Sequence, residues 1–580
     1  MNTHRRILNP HLCLSELTLF RLAPIVVFLL CLPSSLLAQV QLDRLFPCIV
    51  RAGNTVAIKT EGKFPSWPVE FLSDRKDVSC KALEESGTIE VTVEADAYPG
   101  VAWFRAIDSN SSSDLVPLLI TQTPTVIETE PNQKRTEANQ VTLPVSICGR
   151  LEKSGDMDGF RFSANSGDQI IASLCGHRVL GSPMDAVLQI ADSQGNILLQ
   201  EDDTRGLDPS VRFTCPADGE YLVRVFAFPE TPNSTIGYSG AASYLYSLRL
   251  VPATDFIEHY LPLHDHSAKS QSPSETPIPL SSTVPFGWSI PATTEVRFAP
   301  ATIISPRTAF VTNKVGWQWL PPFKTQLQSS RLEPHAESLD QGDERQAESI
   351  PFCYSGHLYS EGETDTIRFK VKEGKRYRAF VNSKHMGYPI DTAITILHAE
   401  TREIIAKNDD QSRNDYDSAI TFNAKEETVF EAQVTDAVDS FSPHHAYSLI
   451  LEEVVPNYTL TVPAQRYSIE AGKPLEIVVT VNRTDGFDKA IKVSLEPLAD
   501  LKANESISAE SVTSEAKGET SKSVKLVINT SEKANYQGYL QITGNVIVDG
   551  ETANPKISAT FALRPEIMLN QQWLNVRSPE

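Results

Sequence analysis

Two stretches of this 580-residue chain carry the same short motifs in the same order. Each motif recurs about 200 residues further along, which is the signature of one structural unit used twice. The paired motifs are DGFRF at 158–162 with DTIRF at 365–369, GSPMD at 181–185 with GYPID at 387–391, DD at 202–203 with DD at 409–410, DPSVRF at 208–213 with DSAITF at 417–422, and YSL at 246–248 with YSL at 447–449. The sequence therefore predicts two domains of the same fold.

Short runs that favour β-strands fill most of the chain after residue 40. Examples are TIEVTVE at 88–94, YLVRVF at 221–226 and LEIVVTV at 475–481, which are rich in β-branched residues and bounded by turn-forming ones. No window in this region sustains the 3.6-residue apolar period of an amphipathic helix. We therefore predict an all-β protein of tandem β-sandwiches, with about eight short strands in each repeat, as in a jelly roll.

The first repeat also carries a family resemblance. Its motifs, followed by DGEYLVRV at 218–225, are similar to those of the bacterial pre-peptidase C-terminal (PPC) domain. The second repeat is divergent and has EETVF at 426–430 in place of the D-G-x-Y motif. The resemblance implies two β-sandwich accessory domains of a secreted protein, of a kind often attached to proteases and used for targeting or binding.

The flanking segments resemble other sandwiches. Residues 40–125 resemble the Ig-like domains found before such modules, and residues 455–566 resemble bacterial Ig-like domains. The predicted order is a signal peptide at 1–38, an Ig-like sandwich at 40–125, a PPC-like domain at 126–253, a small Ig-like or β-rich segment at 254–323, a linker at 324–349, a second PPC-like domain at 350–454, an Ig-like domain at 455–566 and a tail at 567–580.

The N-terminus has the features of an export signal. Arg5, Arg6 and Arg21 precede an apolar run at 22–32, and a cut after Ala38 would follow a stretch with small and turn-forming residues. Residues 22–42 carry no charge, so an uncleaved membrane anchor is the alternative. We favour cleavage and predict export to the periplasm, the cell surface or the medium, with no membrane span unless the signal segment is retained.

Cysteine usage agrees with export. Two of the eight cysteines lie in the signal region, and none of the others belongs to a CxxC pair. Cys48 and Cys80 fall within one predicted domain, and we predict a disulfide between them. Strand parity places Cys215 in a core as a buried thiol, and Cys148 and Cys175 on outer faces of their sheets.

The charge balance limits the possible partners. Lys and Arg number 52, Asp and Glu number 73, and the formal net charge is −21. Phosphate backbones are bound by basic surfaces, so this composition argues against nucleic acid as a partner. An acidic surface instead attracts cations.

The acidic residues that recur in both repeats are candidate calcium ligands, because calcium binds clustered carboxylate oxygens on loops. The alternative, which we favour, is that each Asp caps a turn by accepting backbone N–H bonds. The candidates are Asp158, Asp185, Asp202, Asp203 and Asp208 in the first repeat and Asp365, Asp391, Asp409, Asp410 and Asp417 in the second.

No catalytic signature is found in the sequence. It has no G-x-S-x-G, no H-E-x-x-H and no Gly-rich phosphate loop. We predict a protein that is not an enzyme and that uses its sandwiches for binding or scaffolding at the bacterial cell surface or in the periplasm. Its partner would be an unidentified protein or polysaccharide, and we expect no cofactor unless the repeated acidic residues bind calcium. The alternative is an accessory subunit of a secreted peptidase or another hydrolase system.

Overall fold

The computed structural model describes residues 39–231, 237–253, 278–279, 295–298, 309–313, 316–319, 329–332, 347–384, 388, 390–412, 416–441, 445–496, 506–564 and 567–577. Within these ranges the protein is all-β and has no α-helix, as the strand patterns predict. No helix in the described ranges is long and apolar enough to cross a membrane. The predicted signal peptide at 1–38 lies outside the described residues. Gln39–Glu580 forms one compact unit.

Two four-stranded sheets form the first sandwich. Its strands are β1 (Gln41–Phe46), β2 (Ile49–Arg51), β3 (Thr55–Lys63), β4 (Glu70–Ser73), β5 (Val78–Ala82), β6 (Thr88–Val93), β7 (Gly100–Ile107) and β8 (Val116–Thr121). The sheet orders are β1-β3-β6-β5 and β2-β8-β7-β4. On β6, Ile89, Val91 and Val93 alternate with more polar residues and are at most 1% exposed, so one face of the strand lies in the core.

The first repeat sandwich has two five-stranded sheets. Its strands are β9 (Thr125–Ile127), β10 (Asn139–Gln140), β11 (Val145–Arg150), β12 (Asp158–Ala164), β13 (Gln169–Cys175), β14 (Met184–Ala191), β15 (Ile197–Glu201), β16 (Thr204–Leu207), β17 (Ser210–Thr214), β18 (Gly219–Pro229) and β19 (Leu245–Pro252). The sheet orders are β10-β12-β18-β14-β15 and β17-β13-β19-β11-β9. Apart from the short strands β9 and β10, this is the strand order of a jelly roll.

The second repeat sandwich has the same strand order. Its strands are β24 (Ser329–Leu332), β25 (Glu348–Ser349), β26 (Phe352–His357), β27 (Asp365–Val371), β28 (Arg376–Asn382), β29 (Thr392–His398), β30 (Ile404–Asn408), β31 (Ala419–Asn423), β32 (Thr428–Asp436) and β33 (Ala446–Glu453). The sheet orders are β25-β27-β32-β29-β30 and β24-β26-β33-β28-β31. The register agrees as well, since Asp158 lies opposite Val225 and Asp365 opposite Val434.

Each repeat sandwich contains more strands than the sequence predicts. The additional strands β9, β10, β16, β24 and β25 are two to four residues long, which is too short to show an alternating pattern. Strands β24 and β25 also correct the predicted linker at 324–349. They pair with β26 and β27 and are therefore edge strands of the second repeat sandwich.

A small antiparallel sheet lies between the two repeats in the chain. It consists of β20 (Ile278–Pro279), β21 (Glu295–Phe298), β22 (Ala309–Asn313) and β23 (Gly316–Trp319), paired in chain order. The other residues of the predicted small Ig-like or β-rich segment at 254–323 lie outside the described ranges.

The last sandwich is built from a four-stranded and a larger sheet. Its strands are β34 (Asn457–Thr461), β35 (Arg466–Glu470), β36 (Leu475–Thr484), β37 (Ile491–Glu496), β38 (Ile507–Ala509), β39 (Val512–Ser514), β40 (Ser523–Thr530), β41 (Tyr536–Val548), β42 (Glu551–Ser558), β43 (Phe561–Arg564), β44 (Ile567–Leu569) and β45 (Gln572–Arg577), with a 3₁₀ turn at Glu519–Ser521. The orders are β34-β36-β40-β38 and β35-β45-β41-β37-β39, with β42 on β41 and a separate β43-β44 pair.

The prediction of a tail at 567–580 is wrong, because most of these residues form the strands β44 and β45. Strand β45 lies between β35 and β41, and its Trp573, Leu574 and Val576 are at most 3% exposed. The strand was missed because its apolar run is short, and a sequence pattern does not show that β35 and β41, far apart in the chain, leave a gap for it.

The first and last sandwiches are in direct contact. Gln537 and Asn575 donate hydrogen bonds to backbone carbonyls of the loop between β7 and β8, at 2.7 and 2.5 Å. Asp114, in the same loop, forms an ion pair with Arg466 at 2.7 Å. Beside these polar contacts lies a buried apolar cluster made of Trp103, Leu115, Leu563 and Leu569.

The structure does not pair Cys48 with Cys80, so the predicted disulfide is wrong. The Cys80 thiol contacts the carbonyl oxygen of Phe71 at 3.3 Å, within the first sandwich. Cys48 lies between β1 and β2, where its sulfur is 3.3 Å from that of Cys148 on β11. Cys48 and Cys80 therefore belong to different apolar clusters. Cys215 lies in a core, as strand parity predicts.

Candidate metal centre

A group of acidic oxygen atoms lies where the chain enters the first repeat sandwich. Glu128 and Glu130 follow β9, and Asp158 is the first residue of β12. One carboxylate oxygen from each of these residues lies within 4.8 Å of the other two. We call these three residues the carboxylate centre.

Tyr246 reaches the carboxylate centre from the opposite sheet. This fully buried residue of β19 donates a 2.5 Å hydrogen bond to Asp158, and its hydroxyl lies 3.1 Å from Glu128. Its ring passes Gly149 on the neighbouring strand β11, where an added Cβ would lie 2.2 Å from the ring. Glycine at position 149 is therefore what allows the phenol to cross the core.

Three buried oxygen atoms in this region meet no hydrogen-bond donor among the described residues. They are Asp158 Oδ1, Glu130 Oε1 and Asn132 Oδ1. Asp158 and Asn132 are 0% exposed, and the Asn132 amide nitrogen contacts Glu128 at 3.4 Å. Because a buried oxygen without a donor is costly, the arrangement favours either bound protons or a bound cation.

Burial changes the acidity of the carboxylate centre. It raises the pKa of Glu128 to about 7. Burial, followed by the charge of Glu128, raises the pKa of Asp158 well above its usual range. The pKa of the Tyr246 phenol is raised as well, by burial and then by the charge of Asp158. Carboxyl groups this close together hold protons in the absence of a cation, and a bound cation displaces those protons.

Arg150 connects the carboxylate centre to the first sandwich. Its backbone N–H donates to Glu128 at 2.5 Å. Its guanidinium pairs with Glu61 on β3 at 2.6 Å and lies over the ring of Phe46, 4.7 Å from the ring centroid. The carboxylate centre is therefore located at the junction of the first sandwich and the first repeat sandwich.

The chemistry of the donors indicates which cations fit. The group consists of carboxylates alone, with no thiol or imidazole among its members. Hard cations such as Ca²⁺ prefer oxygen ligands, and Ca²⁺ takes about six to eight of them at flexible geometry. The three carboxylates fit part of such a shell, and water would complete it.

The second repeat sandwich keeps the tyrosine–aspartate pair. Tyr447 on β33 donates a short hydrogen bond to Asp365, and Gly356 lies beside Tyr447 as Gly149 lies beside Tyr246. Burial raises the pKa of Asp365 to about 7. Among the described residues of this sandwich, no group of three metal-binding side chains accompanies the pair. The segment 333–346 that follows β24 lies outside the described ranges.

Two of the predicted calcium ligands cap turns. Asp208 is buried and accepts hydrogen bonds from the backbone N–H groups of Gly176, His177 and Arg178, at 2.7 to 3.1 Å. Asp417 accepts from the backbone N–H groups that follow β28 in the same way. For these two residues the turn-capping interpretation describes the observed contacts.

Six of the other predicted ligands lie in acidic groups apart from the carboxylate centre: Asp185, Asp202 and Asp203 in the first repeat, and Asp391, Asp409 and Asp410 in the second. Burial and the charges of Asp203 and Asp202 raise the pKa of Asp185. In the second repeat, burial and then chiefly the charge of Asp410 raise the pKa of Asp391, with a smaller contribution from Asp409.

These acidic groups do not include Asp158. Asp185 lies opposite the exposed Phe228, whereas Asp158 lies opposite the core residue Val225. Asp158 and Asp185 therefore point to opposite faces of one sheet. The five candidate calcium ligands of the first repeat therefore do not converge on one site.

The residues that sequence reasoning missed are Glu128, Glu130, Asn132 and Tyr246. A signal for three of them exists in the sequence. Glu130 and Asn132 belong to EPN at 130–132, which has a counterpart in EPH at 333–335, and Tyr246 begins the repeated motif YSL. What the sequence does not show is that a segment ahead of the first long strand folds back against the start of β12.

Comparisons with known proteins give limited matches. No protein-family model matches the chain. A probable subtilase-type serine protease of Deinococcus radiodurans is 32% identical over 98 residues, which is 17% of this chain and 14% of that protein. The chain thus spans a small part of the length of that relative.

Similar solved structures include modules of two bacterial proteins. The pre-peptidase C-terminal domain of a Bacillus anthracis collagenase is 18% identical, with 21% of this chain and 99% of that chain covered and a TM-score of 0.16. The fibronectin(III)-like modules of Clostridium thermocellum CbhA are 13% identical, with 36% and 88% covered and a TM-score of 0.13.

Proposed function

We propose that this chain is an exported, non-catalytic binding or scaffold protein of the bacterial cell surface or periplasm. Its two repeat sandwiches would be PPC-like modules that, with the flanking sandwiches, bind a protein or a polysaccharide. The shared jelly-roll strand order of the two repeats supports a common origin of these modules. The acidic composition supports a partner other than nucleic acid.

The carboxylate centre carries this proposal. We propose that Glu128, Glu130 and Asp158 hold a calcium ion. The buried oxygens of this region that lack donors would then have a partner, and the carboxylates would no longer repel one another. Because Arg150 links Glu128 to the first sandwich, the ion would also make the junction rigid. A rigid junction keeps binding surfaces on neighbouring sandwiches in a fixed relation, which lowers the entropic cost of binding a large partner.

A second function is supported by the match to the probable subtilase. In this alternative the chain is an accessory subunit of a secreted peptidase or another hydrolase system, and its sandwiches bring a separate catalytic subunit to its substrate. The two functions share the same calcium-dependent architecture and differ in the partner.

Calcium binding is tested by thermal unfolding and isothermal titration of the full chain with calcium and with chelator. We expect calcium to raise the first unfolding transition and the variant Asp158→Asn to lose most of that increase. Asp203→Asn is the matched control, because it makes the same change in the separate acidic group and should keep the response. An increase that is retained in Asp158→Asn and lost in Asp203→Asn would assign the ion to the other group.

The binding function is tested with glycan and protein arrays probed by the full chain in calcium and in chelator. We expect a ligand whose binding weakens in chelator. Hydrolysis of a generic protein or polysaccharide substrate by the purified chain would contradict the non-catalytic assignment. Selective retention of a secreted peptidase would favour the accessory-subunit alternative.

A further inference from the structure

Two thiols from different sandwiches face each other across a domain junction. Cys48 lies between β1 and β2 of the first sandwich, and Cys148 lies on β11 of the first repeat sandwich. Their sulfur atoms are 3.3 Å apart, and the backbone N–H of Cys48 points at the Cys148 sulfur at 3.2 Å. The two residues are 100 positions apart in the chain, so the contact is made only when both sandwiches are folded and docked.

The thiol pair is sealed from solvent. Cys48 and Cys148 are each 1% exposed. The side chains around them form an apolar cluster from both sandwiches, made of Ile49, Leu119, Val179 and Leu245. A covalent bond at this position would therefore be shielded from reductants once formed.

We infer that Cys48 and Cys148 form a disulfide that locks the first sandwich onto the first repeat sandwich. The inference is independent of the carboxylate centre and of any ligand. It rests on the proposed export only for the supply of an oxidant, which is the disulfide of a thiol–disulfide exchange partner.

The bond forms by two exchanges. One cysteine loses its proton to solvent, and its thiolate attacks the partner's disulfide, which releases one partner thiolate. The second cysteine, also deprotonated, then attacks the mixed disulfide, the Cys48–Cys148 bond forms, and the second partner thiolate leaves. The two cysteine sulfurs lose two electrons in total, and the partner's disulfide gains them as a dithiol.

Two other pairings, Cys148 with Cys175 and Cys48 with Cys80, are disfavoured by position. Cys148 and Cys175 both lie opposite Ser247 of β19, so one strand separates them. Two strand spacings amount to about 10 Å, which exceeds the Cα separation of about 4.4–6.8 Å that a disulfide allows. Cys80 contacts Phe71 within the first sandwich.

The test uses the full chain, reduced in denaturant and refolded with oxidised glutathione as the exchange partner. Remaining thiols are alkylated, and peptides are mapped by mass without reduction. We expect a peptide pair that joins Cys48 to Cys148, which disappears in Cys148→Ser and persists in the control Cys80→Ser. We also expect the unreduced protein to unfold at a midpoint about 5 °C above that of the reduced protein.

Alkylation of both Cys48 and Cys148 in protein that has refolded would overturn the inference. A bond from Cys48 to Cys80 or Cys175 would overturn it equally. If Cys148→Ser fails to refold, the double variant Cys48→Ala/Cys148→Ala, which fills the same apolar cluster with smaller side chains, provides the uncrosslinked reference. Because the oxidant is supplied in vitro, the result separates this inference from the proposed export.

Discussion

The phenol of Tyr246 donates a 2.5 Å hydrogen bond to Asp158 across the interior of the first repeat sandwich. Both residues are fully buried, and Asp158 keeps a second oxygen that meets no donor in the described part of the chain. The pair thus joins the two sheets of the jelly roll by one polar contact inside an apolar core.

Removing this contact should destabilise the first repeat sandwich. In Tyr246→Phe the carboxyl of Asp158 loses its donor, and we expect the free energy of unfolding to fall by about 1–3 kcal/mol. Urea unfolding of the full chain in chelator measures the change. Tyr416→Phe removes a hydroxyl from an exposed ring and should stay within about 0.5 kcal/mol of the parent protein. Equal effects of the two variants would show that the buried hydrogen bond contributes nothing.

Gly149 should tolerate no side chain. A Cβ at this position would lie 2.2 Å from the Tyr246 ring, so Gly149→Ala must displace the ring or the strand. We expect a loss of about 1–3 kcal/mol in unfolding free energy, as for other overpacked cores. At Gly237 an added Cβ meets nothing within 4 Å, which makes Gly237→Ala the control. Thermal unfolding of the two variants decides the matter, and a neutral Gly149→Ala would contradict the packing described.

The stability of the second repeat sandwich should depend on pH through Asp365. Its folded pKa is about 7, against about 3.8 for a free side chain, because the folded state buries the carboxyl. The favourable contribution of the protonated form is therefore complete below about pH 4 and is lost as the pH rises to about 7.

The variant Asp365→Asn isolates this effect, since an amide can still accept from Tyr447 but does not ionise. Relative to the parent protein, it should gain about 2–4 kcal/mol of unfolding free energy between pH 4 and pH 8, measured by urea unfolding at both values. The exposed Glu373→Gln makes the same charge change and should show no such gain. A difference between Asp365→Asn and the parent that does not vary with pH would contradict the raised pKa.

Buried side chains should contribute more to the contact between the first and last sandwiches than the exposed ion pair does. Trp573 is 3% exposed, packs edge-on against Tyr539 with centroids 4.9 Å apart, and lies 5.2 Å from the guanidinium of Arg105. Trp573→Ala should lower the free energy of unfolding by about 3–5 kcal/mol. Asp114→Asn breaks only the half-exposed ion pair with Arg466 and should cost about 0–1 kcal/mol. Calorimetry of both variants measures the two losses of stability. A loss in Asp114→Asn as large as that in Trp573→Ala would contradict the prediction.

The sequence predicts the all-β class and the two related domains because both depend on local patterns. Alternation marks the strands, and the shared motifs mark the equivalent positions Asp158 and Asp365. It does not predict strands such as β25 or β45, whose existence depends on a partner that is distant in the chain.

The candidate site was predicted in part for the same reason. Asp158 is recognisable as a repeated acidic residue, but its partners Glu128 and Glu130 precede the matched strands. Likewise Cys48 was assigned a partner within its own domain, whereas docking of two sandwiches brings it to Cys148. Contacts between domains leave no periodic pattern in a sequence, so neither could be derived from it.

The hydrogen bonds and ion pair between the first and last sandwiches join residues up to 465 positions apart, so the polypeptide closes on itself. A single nick between the two repeat sandwiches would consequently yield two fragments that remain associated without any covalent link. Such a nicked protein should migrate as one species on a native gel and as two in detergent. In the presence of a protease, this closure would let the folded protein outlast the first cut in its chain.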